Sequence, residues 1–303
     1  MRALVTGSHG FVGGWLCQHL ADEGDEVIEL GEGLNLCDRE ALQTALTGVQ
    51  VDVCYHLAAL SHVGASWSDP QLYFYNNVVG TANLVAVLAQ LPHLPRLLHI
   101  SSSEVYGRVA HDDLPIKEAQ SLHPVSPYAA SKAAAEFATL QGWYGRGLPA
   151  VVARPFNHTG PGQLPDYLVP ALAIRMIEAK EKGKTSLRVG NGDACRDFMD
   201  VRDVVRAYRL LAVHGVPGQA YNVCSGESVS VRTIVGELAA VLDYQVDLEV
   251  DPSLLRPNDV EVVVGDPRRM MEVTGFSRKF SLTQTVAGVV EDVGGGRYPR
   301  PGD

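Results

Sequence analysis

Cysteine is scarce and dispersed in this chain. The five residues, Cys17, Cys37, Cys54, Cys195 and Cys224, are odd in number and form no CxxC pair. That pattern argues against a disulfide framework and against a structural zinc site, so no metal is expected. A reducing cytoplasm is the simple reading. Long apolar runs are missing too: none approaches the ~18 residues of a membrane span. The opening stretch MRALVTGSHGFVGGWL has neither the n-region nor the h-region of a signal peptide, because glycines interrupt its apolar residues. Positive charge is in deficit, with a formal net charge of −10. A field of that sign disfavours nucleic acid and anionic membranes as partners. It leaves room for a small anionic substrate held by a few local arginines. No internal repeat or low-complexity tract is present, and the tail GGGRYPRPGD reads as a poorly ordered end.

What is present is a well-buried chain of 303 residues, 46% hydrophobic and 20% charged, enough for one large domain or two unequal ones. Short apolar runs at Ala3–Val5, Glu26–Leu30, Val51–His56, Leu97–Ser101, Ala150–Arg154 and Ala220–Val223 predict strands. Helical patterns at about 11–23, 39–47, 71–90, 127–145 and 201–213 alternate with them. This alternation predicts an α/β fold, a doubly wound parallel sheet covered on both faces. After Asn157 the rhythm changes to a helix at about 166–182, the segment TSLRVGNGD, a helix near 231–242, and short strands in QVDLEV and VEVVV. These predict a smaller mixed α/β domain appended to the first. The expected division is 1–156 plus about 198–225 for the cofactor domain, and about 157–197 plus 226–303 for the second.

Three motifs carry chemistry. LVTGSHGFVGGWL spaces Gly7, Gly10 and Gly13 as GxxGxxG between the first strand and its helix, where backbone N–H groups attract a pyrophosphate. A plain tight turn is the alternative. After the second strand, Glu32 suits ribose hydroxyls, and no arginine precedes Arg39, which leans toward NAD over NADP. Asn35 and Leu36 are candidates to flank the adenine. SPYAASKAAAEF places Tyr128 and Lys132 on one helix face, where an ammonium can lower a phenol toward working pH. A core tyrosine beside a surface lysine is the bland alternative. LLHISSSEVYG ends a strand with Ser102, able to bond a substrate oxygen, and Glu104, either an acid–base group or a loop carboxylate.

With these motifs in order, the chain resembles the extended short-chain dehydrogenase/reductases acting on nucleotide sugars, from Met1 to about Val286. HLAALSHVGASWSDP, NNVVGTANLV, RPFNHTGPGQ, RDFMDVRDVVRAY, YNVCSG and LLRPNDV extend the likeness. It is most similar to the branch of GDP-6-deoxy-4-keto-D-mannose reductases, which form GDP-D-rhamnose. The related GDP-mannose 4,6-dehydratases usually carry ESPRRGE where this chain has TGPGQLP.

The resemblance implies an NAD(P)-binding Rossmann fold whose second domain binds substrate, and a catalytic triad of Ser102, Tyr128 and Lys132, with Glu104 beside it. It implies a cofactor, NAD or NADP, held by Gly7, Gly10, Phe11, Val12, Gly13, Leu57, Ala58, Ala59 and Asn77, with Pro155 and Phe156 facing the nicotinamide. It implies a GDP-sugar against Ser103, Asn157, Val169, Arg196, Arg256 and Asp259, and pairing as a homodimer. The expected reaction is reduction of a C4 ketone. A 4,6-dehydratase (a lyase), an epimerase, and a cofactor-sensing binding protein on the same fold are the alternatives.

Overall fold

The structure is a computed structural model and describes residues 1–30, 33–254 and 260–295. The predicted residues Glu32, Arg256 and Asp259, and most of the glycine-rich tail, lie outside them. The first half alternates as the pattern predicts. β1 (Arg2–Thr6), α1 (Phe11–Asp22), β2 (Glu26–Glu29), α2 (Arg39–Leu46) and β3 (Val53–His56) come first. Two short helices, α3 (Val63–Ser66) and α4 (Pro70–Phe74), lead through a π-helical turn at Tyr75–Val79 into α5 (Gly80–Leu88). β4 (Arg96–Ile100), α6 (Pro127–Arg146) and β5 (Ala150–Pro155) follow.

The single helix expected over 71–90 is therefore interrupted. At the interruption Asn77 is buried, and its side chain is bonded to the backbone of Leu60 and to Ser131, not to solvent. A π-turn widens the helix locally and lets one side chain swing out of register.

The second half contains β6 (Asn157–Thr159), α7 (Leu168–Glu181), β7 (Ser186–Val189), β8 (Cys195–Asp200), α8 (Val201–His214) and β9 (Ala220–Val223). It ends with β10 (Ser228–Ser230), α9 (Val231–Leu242), β11 (Asp247–Val250), β12 (Val262–Val263), α10 (Arg268–Thr274) and α11 (Leu282–Gly294).

Among the described residues, six parallel strands form the main sheet in the order β2-β1-β3-β4-β5-β9. Successive side chains of β1 go to opposite faces. Ala3 and Val5 join Leu16 and Leu20 of α1 and Val204, Tyr208 and Leu211 of α8. Leu4 joins Leu42 of α2 and Leu84 and Leu88 of α5. Both faces are covered, which is why these strands read as continuous apolar runs. A smaller sheet, β10-β8-β12 with β6 against β8, carries α7, α9 and α11 around a separate apolar cluster. The two sheets meet at Asp197. Its buried carboxylate accepts from the backbone N–H of Ser225, Gly226 and Gly265 and from the Ser225 hydroxyl.

β1 and α1 approach unusually closely. A Cβ on Gly13 would lie 2.0 Å from the carbonyl oxygen of Gly7, and one on Gly7 would lie 2.9 Å from the Ala58 nitrogen. Gly7 also holds a φ of 75°, which glycine alone adopts at little cost. Gly13→Ala is accordingly expected to cost about 1–3 kcal/mol, the usual penalty of overpacking. Urea unfolding measures it, and a loss below about 0.5 kcal/mol would show that α1 can move away without penalty.

Candidate active site

The carboxyl ends of β1 and β3 diverge to opposite faces of the sheet, and the first glycine turn sits at that switch point. α1 is preceded by Gly10 at its N-cap, whose extended backbone comes with no capping side chain. Its first N–H groups are left for an anion. The other wall is the backbone of Leu57 and Ala58, each tied to Thr6. A pyrophosphate fits such a cradle, and the crowding against Gly7 and Gly13 shows why side chains there would fill it. Val12 packs into the core under the turn. Phe11 stacks on His158 with ring centroids 6.4 Å apart, and Trp15 donates to the Pro161 carbonyl at 2.9 Å. Sequence reasoning missed both contacts. They bring the HTGP stretch, which spans the end of β6 and the turn after it, over the first turns of α1.

Along the groove, Asn77 accepts from the Leu60 N–H at 2.8 Å, fixing the loop that carries Ala59. The same amide donates to Ser131, whose hydroxyl donates to the Tyr128 carbonyl at 2.7 Å. Asn35 caps its own turn by accepting from the Cys37 N–H, and Leu36 packs on Gly80 at the start of α5.

The predicted triad converges at the end of β4. Ser126 caps α6 by accepting from the Ala129 N–H, and Pro127 at the first position sets the helix direction, so Tyr128 enters the site in the first turn. Ser102 lies at the start of a 3₁₀ turn, Ser103–Tyr106, and its hydroxyl is bonded to Tyr128. Ser103 is half-buried and Glu104 exposed on the same turn. Tyr73 meets Tyr128 edge to face at 6.5 Å, and Tyr167, bonded to Ser61, completes the rim.

Lys132 corrects the bland expectation of a surface lysine, since it is 4% exposed. Burial lowers it to about 8, with Glu136 acting in the opposite direction. Its ammonium donates to the Ile100 carbonyl at 2.5 Å. The expected lowering of the phenol is not found either. Burial raises Tyr128, the Ser102 hydrogen bond lowers it by less, and the charge of Glu104 adds to the rise. The reason is solvation: the phenol is enclosed by Tyr73 and Tyr167, and the ammonium is engaged with the end of β4.

Other expected residues scatter. Pro155 ends β5. Phe156 turns its ring into the cluster of Val105, Tyr106, Ile116 and Cys224 and is 2% exposed, so its side chain does not line a nicotinamide site. Val169 is likewise core, on the apolar stripe of α7 with Leu172 and Met176. Asn157 is exposed at the start of β6. Arg196 lies on β8 and donates to the carbonyls of Cys195 and Val260.

Comparison with known proteins agrees with this geometry. Residues 32–289 match the family described as GDP-mannose 4,6 dehydratase. GDP-6-deoxy-D-mannose reductase of Pseudomonas aeruginosa is 35% identical over 295 residues, 96% of each chain. A solved structure of RMD from Pseudomonas aeruginosa complexed with NADPH has a TM-score of 0.89 at 34% identity, covering 96% of this chain and 98% of that one. UDP-glucose 4-epimerase of Thermus thermophilus, in complex with NAD, has a TM-score of 0.85 at 28% identity, covering 97% and 99%. Likeness of that degree along nearly the whole length places the chain in the GDP-mannose 4,6 dehydratase family, among the NAD(P)-dependent short-chain dehydrogenase/reductases that act on nucleotide sugars.

Proposed function

We propose that this protein reduces the C4 ketone of GDP-4-keto-6-deoxy-D-mannose to GDP-D-rhamnose. The observation that carries the reductive direction is the likeness to a GDP-6-deoxy-D-mannose reductase along nearly the whole chain. The Tyr128 phenol, protonated at neutral pH as phenols ordinarily are and raised further by burial, is in contact with Ser102. Reduction of a ketone needs a proton donor at the new alkoxide, and a phenol that holds its proton at neutral pH is poised for that task. The opposite step, which opens a dehydratase cycle, needs the same group as a base.

The chain's own parts divide as follows. The Gly7–Gly13 turn, Leu57, Ala58 and Asn77 hold the dinucleotide, whose reduced nicotinamide supplies hydride to C4 when bound. Ser102 donates to the ketone oxygen and orients it toward Tyr128. Tyr128 transfers its proton to that oxygen. Lys132, charged in the pocket beneath, stabilises the phenolate left behind. Asn157 and Arg196 flank the sugar nucleotide, whose diphosphate suits a guanidinium. The large sheet thus serves the cofactor and the smaller one the sugar. We take the cytoplasm as the compartment, in keeping with five free thiols.

We also propose a homodimer built on α4, α5 and α6. Phe137 and Tyr144, seven residues apart on α6, are 65% and 73% exposed, and Leu72, Phe74 and Tyr75 add exposed apolar surface nearby. Side chains of that size rarely form a patch on a monomer. Light scattering should give twice 32.6 kDa at micromolar concentration, and Phe137→Asp should shift the species to the monomer. A wild-type monomer of 32.6 kDa would remove the claim.

A specific observation keeps the dehydratase as second reading: Glu104 lies near enough to oppose ionisation of Tyr128, where it could take a C5 proton. Two measurements separate the readings. With GDP-4-keto-6-deoxy-D-mannose, the reductase consumes reduced nicotinamide one-to-one with GDP-deoxyhexose formed, followed by absorbance. Conversion of GDP-mannose to the 4-keto sugar without added reduced cofactor would instead establish the dehydratase. Glu104→Gln should leave a reductase with most of its activity and cripple a dehydratase. Tyr128→Phe should lower kcat by about 10²–10⁴-fold while the cofactor still binds; retention of more than about a tenth of kcat would exclude it as the proton donor.

A further inference from the structure

A buried polar cluster lies behind the triad. Glu136 follows Lys132 by one helical turn and is 1% exposed. Its carboxylate accepts from the Arg154 guanidinium at 2.7 and 3.0 Å and from the Ser101 hydroxyl. Arg154, itself buried, also donates to the Tyr106 hydroxyl and to the Glu118 carbonyl. Lys132 and Glu136 thereby hold consecutive residues at the end of β4. The ammonium takes the Ile100 carbonyl, and the carboxylate takes the Ser101 side chain. Ser102 is the next residue.

We propose that Glu136 is a positioning residue, the counter-ion that keeps Lys132 charged and, through Ser101, sets where Ser102 stands. This rests on the ketone-reductase reading for its purpose but not for its test.

The surroundings of Lys132 leave the task to Glu136. On α6 the other titratable neighbour is Tyr128, which is protonated. From β4 comes His99, buried with no partner at either ring nitrogen among the described residues, and from β3 comes His56. Burial, and then the Lys132 charge, hold both imidazoles well below their ordinary value, so both are neutral. Glu104, on the turn after β4, reaches toward Tyr128 from the exposed side. Arg154 is paired with the same carboxylate, and of the two charges it is that of Glu136 that acts to raise Lys132. Without the carboxylate, desolvation acts on the ammonium unopposed and lowers it further.

The test reads the lysine directly. The chain has six lysines, and side-chain ¹⁵N spectra of the cofactor-free protein resolve the buried one, assigned by its loss in Lys132→Arg. In the wild type it should be charged at pH 7 and titrate near 8. In Glu136→Gln/Arg154→Gln, which leaves no unpaired buried charge, the midpoint should fall by about one pH unit or more. The high-pH limb of kcat should move the same way, and KM for the sugar nucleotide should stay within about threefold. Glu136→Asp, which retains the charge, should keep the wild-type midpoint. A folded double variant with an unmoved midpoint would overturn the proposal. So would a wild-type Lys132 that is neutral at pH 7, an outcome that needs no variant to fold. Absence of turnover with every GDP-sugar would sink the reductase reading and leave the titration standing.

Discussion

The constraint on which the site depends is the cost of burying one ammonium. Lys132 must lie beneath Tyr128 to act on it, and that position is dry. A charge there needs acceptors, because desolvation without them removes the proton. The Ile100 carbonyl is free to serve because β4 ends at that residue and the chain turns away through Ser101 and Ser102. One side-chain hydrogen bond thus ties α6 to the end of β4, just ahead of Ser101 and Ser102. Glu136 and Arg154 extend the same logic one layer outward. The pair is worth little as a source of stability, since ions lose water on burial, but it is well suited to fixing geometry.

A second polar line runs through the cofactor side and is directional. The Ala58 N–H donates to Thr6 Oγ1, and Thr6 donates to His56 Nδ1. His56 Nε2 then donates to Thr81, whose hydroxyl donates to the Asn77 carbonyl at 2.6 Å. The last bond fixes the direction of the others, and hence the neutral tautomer of His56. It joins the wall of the phosphate cradle to the π-turn, and the π-turn to α6 through Ser131. The two halves of the site, one for an anion and one for a proton, are therefore linked through buried hydrogen bonds.

Much of this was legible in the chain. The strands and helices of the first half, the glycine turn and the spacing of Tyr128 to Lys132 are local or periodic signals, and periodicity reports burial directly. The interruption of the 71–90 helix was not legible, because Asn77 leaves its register for partners at Leu60 and Ser131. That the Phe156 and Val169 side chains turn into apolar clusters was not legible for a related reason. A motif names the residues near a ligand, but it does not say which of them turns its side chain toward the core.

By itself the sequence determined the alternation of elements, the anion-binding turn and the presence of a phenol, an amine and a hydroxyl in workable order. Each follows from backbone sterics or from helical repeat, which act over a few residues. Tertiary structure alone decided that Lys132 is buried and that burial raises Tyr128 instead of lowering it. It alone decided that Glu136, Arg154 and Ser101 meet behind them. A proton's free energy depends on the water excluded and the charges brought near, and those come from segments far apart in the chain.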